Sequence, residues 1–372
     1  MIGSPLTDLQ RRSNSLPSTR DMSVGYPRLT EFTEQWARFA DLTRHLDQPT
    51  SREEVVEQLR ITVAQLLGLP PNLQQAITFS GSIALERTIG ALVPPDRETV
   101  VTVPGFDSIY SFVRQASGRH PIFLESDPFG DRSSQVQRIQ ETITASVGAV
   151  ILVSPNNPTG LTLSPAELRS IAETCSNTDT VLIVDHCFAL VDPWDYLSGS
   201  VFDMGETCRW AGLWDSSKTV ELLGEKFGMI SGSQREMQMI EEKIGEIQLD
   251  LPLGSLAIIR AELSSLTMDN GLAEHNRLVR ENYTTLSATC AELELGINRP
   301  DAGSFALVEV GKAGLSPRQL FERLAIEGLI TVVPAEVLYP VGWRRKADFV
   351  RVSLMRPREL VGEFCEALRG LL

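Results

Sequence analysis

The chain has 372 residues, 42% hydrophobic and 22% charged, a composition typical of a globular protein large enough for two hydrophobic cores. Its net charge of -14 argues against a nucleic-acid partner, and its five cysteines form no C-x-x-C pair, so we expect reduced thiols and no metal site. The apolar runs are too short to span a membrane and the first residues lack the order of a signal peptide, which predicts a cytoplasmic protein with no membrane partner.

The N-terminal part begins with an arm and a helix and then alternates strands with helices. Residues 29–42 form an amphipathic run, and Ser51 and Glu54 have capping-box spacing ahead of a helical repeat. Ser164 and Pro165 mark the start of another helix. Short β-branched runs occupy residues 99–103, 149–153 and 181–184. This alternation predicts an α/β fold whose parallel sheet is covered by helices on both faces.

The C-terminal part is predicted to contain one long helix, over residues 254–281, and then a mixed α+β unit. Its further predicted elements are a strand near 304–310, a helix capped at Ser316, strands near 329–333 and 349–354, and a final helix. We divide the chain into residues 1–48 (arm and part of a small domain), 49–260 (large domain) and 261–372 (connecting helix and small domain).

Four short motifs follow one another along the chain. They are SPNNPTG at 154–160, Asp185-His186-Cys187-Phe188, Ser216-Ser217-Lys218 with Lys226 beyond it, and Arg351-Val352-Ser353. In this series the chain resembles fold-type I pyridoxal phosphate enzymes of the aminotransferase class I/II family, over nearly its whole length. The motifs supply the amine, carboxylate, amide and guanidinium that pyridoxal chemistry requires. The resemblance implies pyridoxal 5'-phosphate as cofactor, a mostly parallel seven-stranded sheet in the large domain, and a small α+β domain.

The resemblance implies catalytic roles for Lys218 and Asp185. Lys218 would form the Schiff base with the cofactor; the alternative is a solvated surface lysine, against which the spacing to Lys226 argues. Asp185 ends an apolar strand, where a carboxylate is costly unless it is paired. In the family its partner is the protonated pyridine nitrogen, and a role as a turn cap is the alternative.

The same resemblance implies which residues hold the cofactor. Ser80-Gly81-Ser82 precedes a helical run and would bind the phosphate through backbone N–H groups, although such a triplet alone is more typical of a flexible turn. Lys226 would contact the phosphate at a position where the family usually has an arginine. Phe106 would stack on the pyridine ring, with Tyr110 as the alternative.

The residues implied for the substrate come from both ends of the chain. Arg351 lies within an apolar strand, and a buried arginine needs an anion, which in the family is the substrate carboxylate. Gly25 in the arm and Asn157 would approach the same carboxylate. Phe188 stands where most aminotransferases carry a tyrosine bonded to the ring oxygen, which leaves Asn157 to hold that oxygen. Asp215 would face a cationic substrate tail.

Within the family, several details resemble the pyridoxal-phosphate-dependent arginine oxidases and hydroxylases of antibiotic pathways. The shared positions are Phe188, Lys226, Phe106-Asp107, Asp215 and Cys208-Arg209-Trp210. The arm differs, because Val24-Gly25-Tyr26 stands where that group has Asp-Gly-His. We therefore expect a homodimeric aminotransferase of an L-amino acid. The alternatives are an oxidase, hydroxylase or cyclase of specialised metabolism, and a non-catalytic pyridoxal phosphate sensor.

Overall fold

The structure is a computed structural model that describes residues 9, 20–46, 49, 51–70, 73–130, 134–197, 200–204, 208–328, 330–343 and 347–372. Two sheets organise these residues. The larger one has apolar clusters on both faces, and the smaller one packs on a cluster of its own. The predicted α/β class, with a large parallel unit and a smaller α+β unit, is confirmed.

The large sheet is built from the N-terminal two thirds of the chain. Its helices are α1 (Phe32–Arg44), α2 (Arg52–Leu67), α3 (Gly81–Leu92), α4 (Ser108–Ser117), α5 (Gln135–Thr142), α6 (Pro165–Asn177) and α7 (Gln234–Gly245). Its strands are β1 (Gln75–Thr78), β2 (Glu98–Val103), β3 (Ile122–Glu125), β4 (Val147–Val153), β5 (Val181–Asp185), β6 (Trp210–Asp215) and β7 (Gly228–Gly232). Their order is β1-β7-β6-β5-β4-β2-β3. Strand β7 pairs antiparallel with β1 and with β6, and the other pairs are parallel.

Strand β4 shows why the sheet is covered on both faces. Every residue of β4 is buried, and side chains alternate along a strand, so Val150 and Leu152 join the cluster on one face while Ile151 and Val153 join the other. Val153 pairs with Asp185 at the carboxyl ends of β4 and β5. Loops that leave these ends meet at one edge of the sheet, which is where open α/β sheets bind ligands.

The C-terminal part carries the small sheet. Its elements are α8 (Leu253–Met268), α9 (Gly271–Glu292), β8 (Gly296–Ile297), β9 (Phe305–Glu309), α10 (Pro317–Arg323), β10 (Val333–Pro334), β11 (Phe349–Ser353) and α11 (Arg358–Leu371). The strand order is β10-β11-β9-β8, with every pair antiparallel. The domain boundaries at 48 and 260 stay a prediction.

Two predicted elements of this part differ from the structure. The single helix over 254–281 is wrong, because α8 and α9 are separated at Asn270, whose φ of 56° lies in the left-handed region that ends a helix. The strand near 329–333 is wrong in its extent. Only Val333 and Pro334 form a strand, while Thr331 makes an isolated bridge to Asp21; Leu329 lies outside the described residues.

The predicted helix starts are confirmed by their hydrogen bonds. Ser51 Oγ accepts from the backbone N–H of Glu54 at 3.1 Å. Ser164 and Ser316 each form a complete capping box with the residue three positions on, and each is followed by a proline in the first turn. These contacts fix where α2, α6 and α10 begin.

The described residues hold neither a disulfide nor a membrane-spanning helix. All five cysteines are buried and carry free thiols. No described helix is both long enough and apolar enough to cross a bilayer.

Candidate active site

A cavity of about 460 Å³ lies at the carboxyl edge of the large sheet, a size typical of small-molecule sites. The predicted site residues that line it are Gly25, Ser80, Gly81, Ser82, Phe106, Asn157, Asp185, Asp215, Lys218 and Lys226, and Phe188 lines it as well. Arg351 lies behind this wall, and Tyr110, the alternative to Phe106, is not on it. The fold therefore gathers residues that are far apart in the sequence around one space.

Lys218 is presented to the cavity by a tight turn. Residues Ser216–Lys218 form one turn of 3-10 helix directly after β6, and Asp215 Oδ1 caps it by accepting from the N–H of Ser217 at 2.8 Å. Ser216 Oγ accepts from the N–H of Phe227 at 2.9 Å, which ties the turn to the approach of β7. Lys218 Nζ lies 5.9 Å from the centroid of the Tyr26 ring. The amine is thus fixed through its backbone and faces the cavity.

Asp185 is a buried carboxylate that makes no ion pair with any residue that the structure describes. It is only 7% exposed, and its Oδ1 accepts from the N–H of Cys187 at 2.9 Å. Burial raises the pKa of Asp185; the charge of Lys218 opposes this rise and that of Asp215 adds to it. A cation placed against this oxygen pair would therefore be bound favourably.

The two residues that follow Asp185 are uncharged at neutral pH. Burial lowers the pKa of His186 to about 4, and its Nδ1 donates to the carbonyl of Ser154 at 2.9 Å. Burial, together with the charge of Asp185, raises the pKa of the Cys187 thiol. Neither side chain supplies a counter-charge, so Asp185 dominates this part of the cavity.

The start of α3 closes on the cavity without a side chain in the way. Ser80 Oγ caps the helix by accepting from the N–H of Ile83 at 3.3 Å, and the N–H groups of Gly81 and Ser82 have no acceptor within the helix. A Cβ on Gly81 would lie 2.6 Å from both Cβ and Oδ2 of Asp215. Only glycine allows this approach, which aims the positive helix end at the cavity and places Asp215 beside it.

Arg351 reaches the cavity wall through Asn157. The arginine lies in β11 and is 1% exposed. Its Nη1 donates to Oδ1 of Asn157, its Nη2 donates to the carbonyl of Ser23, and its Nε has no partner. The guanidinium carbon lies 4.3 Å from the centroid of the Phe305 ring. Burial lowers the pKa of Arg351 to about 9, which leaves it charged at neutral pH.

One wall of the cavity is formed by residues 20–31, which we call the strap. Gly25 lies against two rings, because a Cβ there would be 2.7 Å from Cζ of Phe305 and 3.1 Å from Cζ of Phe188. These rings pack edge to face with centroids 5.0 Å apart. The structure thus shows the strap backbone at Gly25 packed against the rings of Phe188 and Phe305, and an approach of Gly25 to a substrate carboxylate stays a prediction.

Arg356 holds the strap and was missed from the sequence. This fully buried arginine donates to the carbonyls of Asp21, Val24 and Tyr26, as well as to its own neighbour Met355. Arg356 follows the apolar strand that contains Arg351. Because a buried arginine needs partners for its N–H groups, the sequence indicates such partners for Arg356 as well as for Arg351. Its partners are carbonyls of the strap instead of an anion.

Glu221 lines the cavity and was also missed from the sequence. Its Oε2 accepts from the N–H of Leu29 at 2.8 Å and of Thr30 at 3.3 Å, and its Oε1 accepts from Nε2 of Gln35 at 2.9 Å. Burial raises the pKa of Glu221, although these donors oppose the rise. The side chain lies three positions after Lys218 and ties the lysine segment to the strap and α1.

Comparison with known proteins identifies a family profile and individual relatives that this chain resembles. The sequence profile of the family described as aminotransferase class I and II matches residues 50–368. The arginine–pyruvate transaminase AruH of Pseudomonas aeruginosa is 24% identical over 324 residues, which cover 85% of this chain and 78% of AruH.

Solved structures show the same fold. MppP soaked with the product 2-ketoarginine superposes with a TM-score of 0.76 at 23% identity, covering 94% of this chain and 99% of MppP. YbdL of Escherichia coli, described as having a methionine aminotransferase function, superposes with a TM-score of 0.82 at 16% identity, covering 100% of this chain and 97% of YbdL. At these identities the likeness is one of fold.

Proposed function

Because the chain belongs to the aminotransferase class I and II family, we propose that it is a pyridoxal 5'-phosphate-dependent aminotransferase of an L-amino acid. The observation that carries the proposal is the meeting of Lys218, Asp185 and the start of α3 around one cavity. An amine, a buried carboxylate and a positive helix end are the three groups that this cofactor needs.

The residues on the cavity wall fit the cofactor. The N–H groups of Gly81 and Ser82, which have no acceptor within α3, would bind the phosphate, and Lys226 on the same cavity wall would add a positive charge. Asp185 has a raised pKa because it is buried without a cation, and a protonated pyridine nitrogen would supply that cation. Phe106 lines the same cavity and would offer an aromatic face to the cofactor ring. The negative charge of Asp215 disfavours a phosphate at this place. The positive end of α3 and the ammonium of Lys226 offset the charge of Asp215.

Each of these residues has a chemical task. When bound, pyridoxal phosphate withdraws electrons from the α carbon of an amino acid. Lys218 Nζ moves the proton at that carbon, and Asp185 keeps a proton on the ring nitrogen. Arg351, with Asn157, orients the substrate carboxylate, since a guanidinium binds a carboxylate through two parallel hydrogen bonds.

Covalent trapping tests the role of Lys218. Borohydride reduction of the loaded enzyme, followed by peptide mass spectrometry, should find the cofactor on Lys218. Lys218→Ala should lose both the trapped cofactor and transamination of an amino-acid panel. The matched control is Lys243→Ala, which removes a surface lysine paired with Glu246 at 2.9 Å and should keep both. Trapping on another lysine would refute the assignment.

The charge of the cavity supports a basic amino acid as substrate. Its wall carries four carboxylates, those of Asp185, Asp215, Glu221 and Glu225, against three cations, Arg28, Lys218 and Lys226, and this excess of negative charge favours a cationic tail over an anionic one. AruH acts on arginine by its name, and MppP is described with 2-ketoarginine. Arginine should therefore react faster than aspartate, as measured by keto-acid formation.

An arginine oxidase or hydroxylase is the second candidate, supported by the fold likeness to MppP and by Phe188 on the cavity wall. The two candidates differ in the use of oxygen. Transamination needs a keto-acid acceptor and proceeds under nitrogen, whereas oxidation consumes oxygen. Because Val24 and Tyr26 flank Gly25, we expect no hydroxyarginine; its detection by mass spectrometry would favour the second candidate.

We also propose a cytoplasmic homodimer. Phe32 and Trp36 on α1 are 66% and 59% exposed, and their rings stack with centroids 6.4 Å apart. Such an apolar pair next to the cavity residue Gln35 is typical of a subunit contact. Light scattering after gel filtration measures the mass, and a monomer at micromolar concentration would contradict the proposal.

A further inference from the structure

Tyr26 is the aromatic side chain that faces the amine of Lys218. Its ring lines the cavity, and Lys218 Nζ lies 5.9 Å from the ring centroid, within the range of a cation–π contact. No ion pair joins Lys218 to a carboxylate among the described residues. The charge of Asp185 also favours the ammonium form of this amine, but Asp185 makes no ion pair with it, so the ring of Tyr26 adds its effect to that of a more distant carboxylate.

The ring is held in place through both its hydroxyl and its backbone. Arg28 Nη2 donates to Tyr26 Oη at 2.9 Å, and Arg28 Nη1 lies 3.0 Å from Oδ2 of the buried Asp21. Arg356 Nη1 donates to the Tyr26 carbonyl at 2.9 Å. A ring fixed at both ends presents its face to Lys218 without the entropy loss of ordering a free side chain.

We propose that the ring of Tyr26 stabilises the ammonium form of Lys218. This inference rests on the proposed role of Lys218 as the amine that moves the substrate proton. An aromatic face favours the ammonium by a modest amount, whereas a contacting carboxylate would hold the proton more tightly. The amine can thus carry a proton and still release it, as a group that acts alternately as acid and base must do.

The test measures the pKa of Lys218 in the cofactor-free protein. Only the unprotonated amine reacts with an acylating reagent, so the rate of Lys218 modification against pH, read by peptide mass spectrometry, gives the midpoint. In Tyr26→Leu the midpoint should fall by about 0.5 to 1 pH unit, since a cation–π contact of this kind is worth about that much. Tyr26→Met should behave in the same way and replaces Tyr26→Leu if that variant does not fold.

Two controls separate the ring from other causes. Tyr26→Phe keeps the ring but removes the acceptor of Arg28, and its midpoint should equal that of the wild type. Phe106→Leu removes another cavity ring and should also leave the midpoint unchanged. Lys243, read in the same digests, reports any general change in reactivity. An unchanged midpoint in both Tyr26→Leu and Tyr26→Met, or an equal fall in Tyr26→Phe, would overturn the inference.

A second readout ties the effect to the reaction. In the loaded enzyme, one limb of the pH–rate profile should report Lys218. In Tyr26→Leu this limb should shift by the same number of pH units as the modification midpoint of the cofactor-free protein. A merely structural loss would lower the rate without shifting this limb. Failure of the proposed function is seen separately. If borohydride trapping labels another lysine, the role of Lys218 is refuted while the measured effect of the ring on its pKa stands.

Discussion

Replacement of Gly81 by alanine tests whether the start of α3 is an anion site. The new Cβ would lie 2.6 Å from Cβ of Asp215, whereas carbon atoms normally pack at about 3.5 to 4.0 Å, so the two elements must separate by about 1 Å. Asp215 is buried at the end of β6 and cannot rotate its own Cβ away. Overpacking of this kind costs about 1–3 kcal/mol, which exceeds the small gain from alanine at a first helical position.

The matched control lies in the same helix. A Cβ on Gly90 meets nothing within 4 Å, so Gly90→Ala should stabilise the protein by about 0.5–1 kcal/mol through helix propensity alone. Urea unfolding of both cofactor-free variants should therefore give changes of opposite sign. In Gly81→Ala the displaced N–H groups should also weaken pyridoxal phosphate binding about tenfold or more, measured by absorbance titration. Wild-type affinity and raised stability in Gly81→Ala would refute the reasoning.

The remaining predictions concern buried carboxylates and the strap. Asp185→Asn should stabilise the cofactor-free protein at pH 7. Burial raises the pKa of Asp185 above its unfolded value, so the ionised carboxylate lowers the stability of the folded state. Urea unfolding at a series of pH values should show that this gain in stability vanishes as the pH falls below about 4. The same variant should lose about three orders of magnitude in transamination rate, and a loss under about tenfold would contradict its role. Glu221→Ala should leave the N–H groups of Leu29 and Thr30 without their acceptor. We expect this variant to have a KM about tenfold higher and a free energy of unfolding about 1–2 kcal/mol lower. Glu221→Gln keeps an acceptor oxygen, so its KM and stability should change less.

The sequence predicts best what local pattern determines. Strands buried on both faces appear as continuous β-branched runs, so β4 and β5 could be placed within about two residues, and with them the edge that carries Asp185. Serine at a helix start accepts a bond from the residue three positions on, and proline fixes the φ of the first turn, so those starts were also predicted correctly from local sequence. The break at Asn270 had a local signal too, an Asp-Asn-Gly sequence that the helical repeat on either side obscured.

The strap contacts had no such signal. Glu221 binds Leu29, which is 192 positions away, and Arg356 binds the carbonyl of Asp21 across 335 positions. A glutamate or arginine that satisfies backbone groups of a distant loop looks, in its own neighbourhood, like any other charged residue. Family motifs drew attention to Lys218 and Arg351, but they gave no information on how this chain holds its own strap.

The attachment of the strap to Arg356 also orders events during synthesis. All strands of the large sheet precede Arg356 in the chain, so that sheet can fold while translation continues. The wall that contains Gly25 and Tyr26 gains its contacts with Arg356 only after Arg356 has been synthesised, although the strap itself is made long before. Until then the nascent chain can hold the strap through Glu221 at Leu29 and Thr30, while the carbonyls of Val24 and Tyr26 still lack their donor.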